Sequence, residues 1–273
     1  MSAGIALLVA TLIGVFITPD GIVIGTDTAL SNLGGSVGSQ QKYCITGPRS
    51  VATMQGAYLL EDTVTKATAE LNNRFRELCS QVGSSLSPMT LRQQADHISN
   101  ALKTDLVEFL ERLPAADVVS MYSSSPVVAR VAVTGYGERG PESVVVGLGI
   151  AIDRAKNRWE AQVQPLARLT FSDCGVRFQG QESVVTVLRT DKGVRIPRSE
   201  LTNPDVAKLS ELLNGNCAQA SVLSAAAMFV QAVRLTVVLG NGFGVPKGAV
   251  NPPIDIVTIP RDGAIEEIRV ESW

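Results

Sequence analysis

The chain has 273 residues, 45% of them hydrophobic and 18% charged, with a formal net charge of −2. That length suits one large domain or two small ones around a substantial core. Lys and Arg form no runs, so no basic surface is offered to nucleic acid or to an anionic membrane, and neither is expected as a partner.

Four cysteines, Cys44, Cys79, Cys174 and Cys217, lie far apart with no zinc-ligand spacing. No metal site is expected, and free buried thiols are expected over a disulfide framework. The single histidine, His97, sits in a helical pattern and reads as a solvated helix residue. A hydrolase built on this chain would therefore draw its general base from another group.

In chain order, Met1 to Ala10 is apolar and uncharged but lacks the basic start of a secretory signal. It reads as a leader: a short propeptide, a truncated signal or the first part of a strand. The compartment stays open, with the cytoplasm favoured and a secreted or periplasmic location following if residues 1–10 are a truncated signal. Leu12 to Thr18 predicts a strand, Pro19-Asp20-Gly21 a turn and Ile22 to Leu30 the return strand. A three-residue loop with Gly21 left-handed would set Thr18 opposite Ile22, Ile13 opposite Asp27 and Thr11 opposite Ala29. Thr11 and Asp27 would then share a face as diagonal neighbours, about 7 Å apart at Cα. A two-residue loop would put them on opposite faces.

Short strands are predicted at 42–46 and 50–55, then a helix from Tyr58 to about Gln81 and a second from Thr90 to Leu113. Strands follow at 127–134, 143–152 and 159–165, with another at 168–171. Helices at 203–213 and 219–239 and strands at 254–259 and 264–270 complete the pattern. The apolar run Ala220 to Gly240, interrupted by Gln231 and Arg234, reads as a buried core helix. Strands, two helices, strands, two helices and strands make an α+β order, and two packed sheets with a helix pair on each outer side would bury the apolar stripes.

The opening Thr11-Leu12-Ile13-Gly14-Val15, the turn at Pro19-Asp20-Gly21 and the segment Ile24-Gly25-Thr26-Asp27-Thr28 resemble the start of a proteasome β-type subunit, an N-terminal-nucleophile hydrolase. The likeness continues through Lys42, through Ala52-Thr53-Met54-Gln55-Gly56-Ala57 and in Pro253-Ile254-Asp255-Ile256-Val257. It is carried by residues 11 to about 60 and is weakest between 115 and 200. It implies a four-layer αββα sandwich, with a leader over 1–10 and a single domain over 11–273. It also implies that Thr11 is the nucleophile once the leader is removed, that Asp27 orients Lys42, and that the Gly56 N–H serves the oxyanion hole. Ser31 would hold the substrate strand, and Leu30, Cys44, Met54 and Tyr58 would line an apolar specificity pocket.

Taken singly, Lys42 reads as a surface residue and Asp27 as a strand-end one; together with the turn between them and Gly56 beyond, they form a constellation. The spacing to Lys42 is one residue shorter than the family pattern. Where the family has Gly-Ser-Gly after its middle strands, this chain has Gly180-Gln181-Glu182-Ser183, which leaves Ser183 as a shifted accessory candidate. The family's later Asp and Ser have no counterpart between Asn241 and Pro253.

The residue types fit the chemistry on their own terms. A threonine hydroxyl is a weak nucleophile and needs an adjacent base. A free α-amine, with a reference pKa of about 8, can be that base without histidine. A lysine cation lowers that amine's proton affinity, and a carboxylate fixes the lysine. The expected function is an N-terminal threonine peptidase or amidohydrolase acting on a peptide or protein, without metal or organic cofactor, in a homo-oligomer that could be a ring. The alternatives are a non-catalytic scaffold subunit that keeps its leader and an amidase for small amides.

Overall fold

The computed structural model describes residues 5–9, 12–32, 35–62, 68–85, 87–123, 127–170, 174–180, 185, 202–214, 216, 220–239 and 250–272. The strands at the start of the chain are β1 (Ile5–Val9), β2 (Leu12–Thr18), β3 (Gly21–Asp27), β4 (Ala29–Asn32), β5 (Gly35–Ser39), β6 (Tyr43–Gly47), β7 (Ser50–Asp62) and β8 (Thr68–Ala69). Helices α1 (Leu71–Gly83), α2 (Leu91–Leu110) and α3 (Ala115–Tyr122) follow, then β9 (Val127–Gly137), β10 (Gly140–Asp153), β11 (Arg158–Thr170) and β12 (Gly175–Gly180). Helices α4 (Pro204–Leu213) and α5 (Val222–Leu239) precede β13 (Ile254–Pro260) and β14 (Glu266–Val270).

The elements divide into two compact units: Met1–Val9 with Tyr43–Thr170, and Ala10–Lys42 with Phe171–Trp273. The expected four-layer αββα sandwich is not what these elements make. The described residues form a mixed α and β arrangement with several antiparallel sheets. The departure begins at Tyr58, where a helix was expected. Residues 58–62 instead extend β7 to 13 residues, because they pair with β1 on one side and β8 on the other. Tertiary pairing overrides the local helical spacing of Leu60, Ala67 and Leu71.

In the first unit the strands run β11-β10-β9-β7-β1, with β6 and β8 also paired to β7. Helix α2 starts where its sequence says it should. Thr90 caps it, and Gln93 closes a reciprocal capping box. Its Ile98, Leu102, Leu106 and Phe109 are buried on one face, while His97 stands exposed on the other. Cys44 of β6 and Cys79 of α1 form a disulfide across 35 residues of sequence, and Cys174 is also disulfide-bonded. The expectation of free thiols is thereby corrected: α1 packs on β6, which brings two thiols distant in sequence together.

In the second unit the five-stranded sheet has the order β12-β2-β3-β13-β14, all antiparallel, and β4 pairs antiparallel with β5 outside that sheet. Every residue of β2 and β3 is buried, which explains why their sequences are continuous apolar runs with no polar alternation. Helices α4 and α5 supply the core against this sheet. Helix α5 is long and apolar enough to cross a membrane, yet eight of its residues, including Phe229, Ala232 and Val233, are buried within this unit.

The β2–β3 turn also differs from expectation. Thr18 pairs with Gly21, so the loop has two residues, Pro19 and Asp20, Ile13 pairs with Thr26, and the three-residue register that set Ile13 opposite Asp27 and Thr11 on the face of Asp27 does not hold. Gly21 is not left-handed. It is required for another reason: a Cβ there would lie 2.8 Å from the Ile259 carbonyl oxygen of β13. Asp20 does not simply solvate the turn. Its carboxylate accepts the Val222 N–H at 3.1 Å and so caps the start of α5.

Gly14 and Gly25 are directly opposite one another on β2 and β3, and the Phe229 ring of α5 rests on the flat patch they leave. Phe178 stacks on Phe229 with centroids 6.4 Å apart, and Phe16 meets Phe178 edge-on at 5.5 Å. A methyl at Gly25 would fall within the Phe229 ring. Gly25→Ala is therefore expected to cost roughly 1–3 kcal/mol through overpacking. The same substitution should cost less in a Phe229→Leu background, and strictly additive losses in urea unfolding would rule this seat out.

Candidate functional site

Because the chain reverses at Pro19–Asp20, the end of β3 returns to the start of β2. Asp27 is the last residue of β3 and is fully buried. Its Oδ1 accepts the backbone N–H of Leu12 at 2.8 Å. The same oxygen accepts from Lys42 Nζ at 3.1 Å, and Lys42 Nζ also donates to the Ala29 carbonyl at 2.7 Å. Lys42 is no surface residue: it is wholly buried and among the largest side chains that are so. These are charge-assisted bonds, stronger than neutral ones and well suited to holding a cation in place.

Burial is the largest influence on Lys42 and pushes its pKa below the ordinary 10.5. Asp27 opposes that by its charge and its hydrogen bond, and Asp255 adds a further opposing charge. Asp255 lies on β13 opposite Thr26 and is 4% exposed. Sequence reasoning quoted it within a core strand and gave it no role. The available signal was a carboxylate interrupting the apolar run Ile254-Asp255-Ile256-Val257.

Of the residues singled out from sequence, Asp27 and Lys42 are brought together in the second unit, with the Leu12 N–H and the Ala29 carbonyl. Thr11 and Ser183 lie outside the described residues. Leu30 and Ser31 are consecutive on β4, with backbones facing Gly38 and Ser36 across an irregularity in the ladder. Met54, Gly56 and Tyr58 belong to β7 in the first unit. Met54 is fully buried, and Cys44 is half-buried with its sulfur committed to Cys79. Among the described residues no group of three or more His, Cys, Asp or Glu could hold a metal.

Gly56 has a structural reason to be glycine. Its φ is +115°, and a Cβ would lie 2.7 Å from Ala129 Cα and still closer to the Val128 carbonyl oxygen. It stands where β7 changes partners: Ser50–Gly56 pair with β9, and Ala57–Asp62 pair with β1. β1 runs antiparallel down this second half, from Ile5 opposite Asp62 to Val9 opposite Ala57, and so approaches Gly56.

No protein-family model matches the chain, and no curated protein matches it. Similar solved structures include a helical assembly of the Anbu complex from Pseudomonas aeruginosa, at 11% identity over 96% of this chain and 87% of that one, TM-score 0.49. Anbu, an ancestral beta-subunit, from Yersinia bercovieri matches at 9% identity over 96% and 87%, TM-score 0.47. A Gly-1 mutant of Anbu from Hyphomicrobium sp. strain MC1 matches at 13% identity over 96% and 88%, TM-score 0.49. Likeness at this level carries no argument about activity. The membership of the proteasome β-type family that residues 11–60 suggest is corrected accordingly, since no family or curated match supports it.

The Asp27–Lys42 pair makes a distinct stability signature. Asp27→Asn should cost about 3–5 kcal/mol, because it leaves a buried ammonium without its counter-charge. Asp27→Leu combined with Lys42→Met should cost well below the sum of the single changes, as urea unfolding of the four chains would measure. A second signature is pH-dependent. Folded Lys42 releases its proton at lower pH than the unfolded chain does, so the unfolded state binds more protons between the lowered value and 10.5. Its contribution to stability should therefore rise with pH through that window. Wild type minus Lys42→Met, compared from neutral pH upward, reads it; a flat difference would contradict it.

Proposed function

We propose that this chain is a hydrolase of amide bonds, with peptides as substrates and Thr11 as nucleophile after the Ala10–Thr11 bond is cut. The observation that supports it most is the buried Asp27–Lys42 pair, whose carboxylate is anchored on the Leu12 N–H. That N–H belongs to the peptide unit joining residues 11 and 12. A fixed, desolvated cation is thus tied to the backbone of the proposed nucleophile.

In this reading the free amine of Thr11 takes the hydroxyl proton as Oγ1 attacks the substrate carbonyl carbon. The Lys42 charge keeps the amine's proton affinity low enough for it to be neutral near pH 7. The tetrahedral oxyanion calls for a backbone N–H donor, a group whose loss costs about 3 kcal/mol in other hydrolases. The proton then passes to the leaving nitrogen, the C–N bond breaks, and an ester to Thr11 remains. Water, deprotonated by the same amine, cleaves that ester and restores the hydroxyl.

One observation favours a second reading. The leader segment Ile5–Val9 is a paired strand along β7, as a scaffold subunit that keeps its leader would hold it. The same pairing suits a precursor whose leader has not yet been removed.

Intact mass separates the two. The purified wild type is expected to lack the ten leader residues, while Thr11→Ala, Lys42→Met and Asp27→Asn retain them; processed wild type should hydrolyse peptide amides. A wild type that stays full length, beside an equally full-length Thr11→Ala, would overturn the hydrolase in favour of the scaffold.

A further inference from the structure

The C-terminal strand β14 is held to its sheet by little apolar packing. Among the described residues it pairs with β13 alone, and four of its five residues are exposed; Val270 packs partly against the core beneath α4 and α5. A side-chain tie comes from Arg269, whose Nη1 donates to Asp255 Oδ1 at 3.3 Å. That arginine is shared, since its Nε donates to Glu271 at the shorter distance of 2.9 Å.

Asp255 is 4% exposed. Ile254 and Ile256 on either side of it belong to the core under α4 and α5, so Asp255 points to the other face of the sheet. There it is directly opposite Thr26 on β3 as well as Arg269 on β14. Its Oδ2 is buried and meets no hydrogen-bond donor among the described residues, and the Oγ1 of the fully buried Thr26 has no partner among them either. Directly opposite side chains stand about 5 Å apart at Cβ, so rotation about the side-chain bonds can bring these two oxygens together. An ionised carboxylate with an unmet oxygen is costly to bury. A neutral carboxyl costs less and adds an O–H for the Thr26 oxygen to accept.

We propose that β14 is an acid-closed latch: protonation of Asp255 seats the strand, with the carboxyl O–H donated to Thr26 Oγ1, and ionisation loosens it, because release of β14 lets water reach the carboxylate. The latch is independent of the Thr11 reading.

The charges that bear on Asp255 are Arg269 and Glu267 on β14, Glu271 just beyond it, and Lys42, the weakest of them. The β3 residues on the same face, Thr26, Ile24 and Ile22, carry no charge. Burial is the largest influence and, with the two glutamates, outweighs Arg269, which pushes the Asp255 pKa above the ordinary 3.8. With β14 released, Asp255 is solvated and returns toward that ordinary value. The seated strand therefore binds more protons between 3.8 and the raised value, and its seating weakens as pH rises through that window.

Amide hydrogen exchange of Glu266–Val270, corrected for intrinsic rate and referenced to β2 and β3, reads the latch from acid to neutral pH, beside a carboxyl 13C titration of Asp255. In wild type, protection of β14 should fall with rising pH, about tenfold for each unit by which the Asp255 midpoint stands above its ordinary value. Asp255→Asn cannot ionise, and its amide can donate to Thr26 Oγ1, so its β14 should stay protected throughout. The half-exposed Arg269 keeps the idea testable should Asp255→Asn not fold: Arg269→Gln should raise the Asp255 midpoint and carry the loss of protection to higher pH. Protection that is flat with pH in wild type, or that falls equally in Asp255→Asn, overturns the latch. So does an Asp255 midpoint at or below 3.8, or a window that Arg269→Gln leaves in place.

Discussion

A lysine ammonium with no contact with solvent is the constraint around which the second unit is arranged. Removing such a charge from water costs several kcal/mol after relaxation, and only good geometry recovers it. The chain meets that cost with backbone as well as side chains. Thr28 is the hub: its N–H and its hydroxyl both donate to the Pro253 carbonyl, at 3.0 and 2.9 Å, and its own carbonyl accepts the Gln40 N–H at 2.7 Å. The first pair fixes the exit of β3 to the start of β13. The last fixes the returning chain two residues before Lys42. The ammonium therefore reaches Asp27 and the Ala29 carbonyl from a backbone already in place, and little side-chain freedom remains to be lost in holding it.

The same hairpin is secured at its other end. Asp20 caps α5 and holds the turn against the helix that covers the sheet, while Phe229 of that helix rests on Gly14 and Gly25 halfway along. The strand pair is thus fixed at the turn, at its middle and at its open end by three different interactions: a cap, a close-packed ring and an ion pair. In the first unit Gly56 has a comparable structural duty. A strand that changes partners within 13 residues must break its regular geometry somewhere, and glycine is the residue that tolerates the positive φ and the approach of the neighbouring backbone.

Much of the strand and helix pattern was legible because it rests on local chemistry. The Thr90 cap and the apolar stripe of α2, the Asn203-Pro204 start of α4, and the buried run of α5 all appear where their residues imply. The β2–β3 turn was legible as a turn but not in its register, since loop length decides which residues face each other. Pro19-Asp20-Gly21 reads naturally as a left-handed glycine turn. What makes Gly21 obligatory is the Ile259 carbonyl, some 240 residues away in sequence. The strand over 58–62, the Cys44–Cys79 bridge and the burial of Lys42 were hidden for the same reason, as each is set by a partner far along the chain. Of the candidate site, sequence gave the residue types of Asp27 and Lys42 and the chemistry they allow. It did not give the anchoring of Asp27 on the Leu12 N–H.

Stability alone does not account for that group of charges. Buried ion pairs are often matched or surpassed by well-packed apolar side chains of similar volume, so a chain selected only to fold would gain from Leu or Met at these positions. Here the cation is held by a carboxylate that is itself bound to the backbone beside residue 11. In the proposed hydrolase, an ammonium held in a dry interior beside the start of β2 has its use in chemistry that depends on its charge. The amine of Thr11 is the group whose proton affinity such a charge would set.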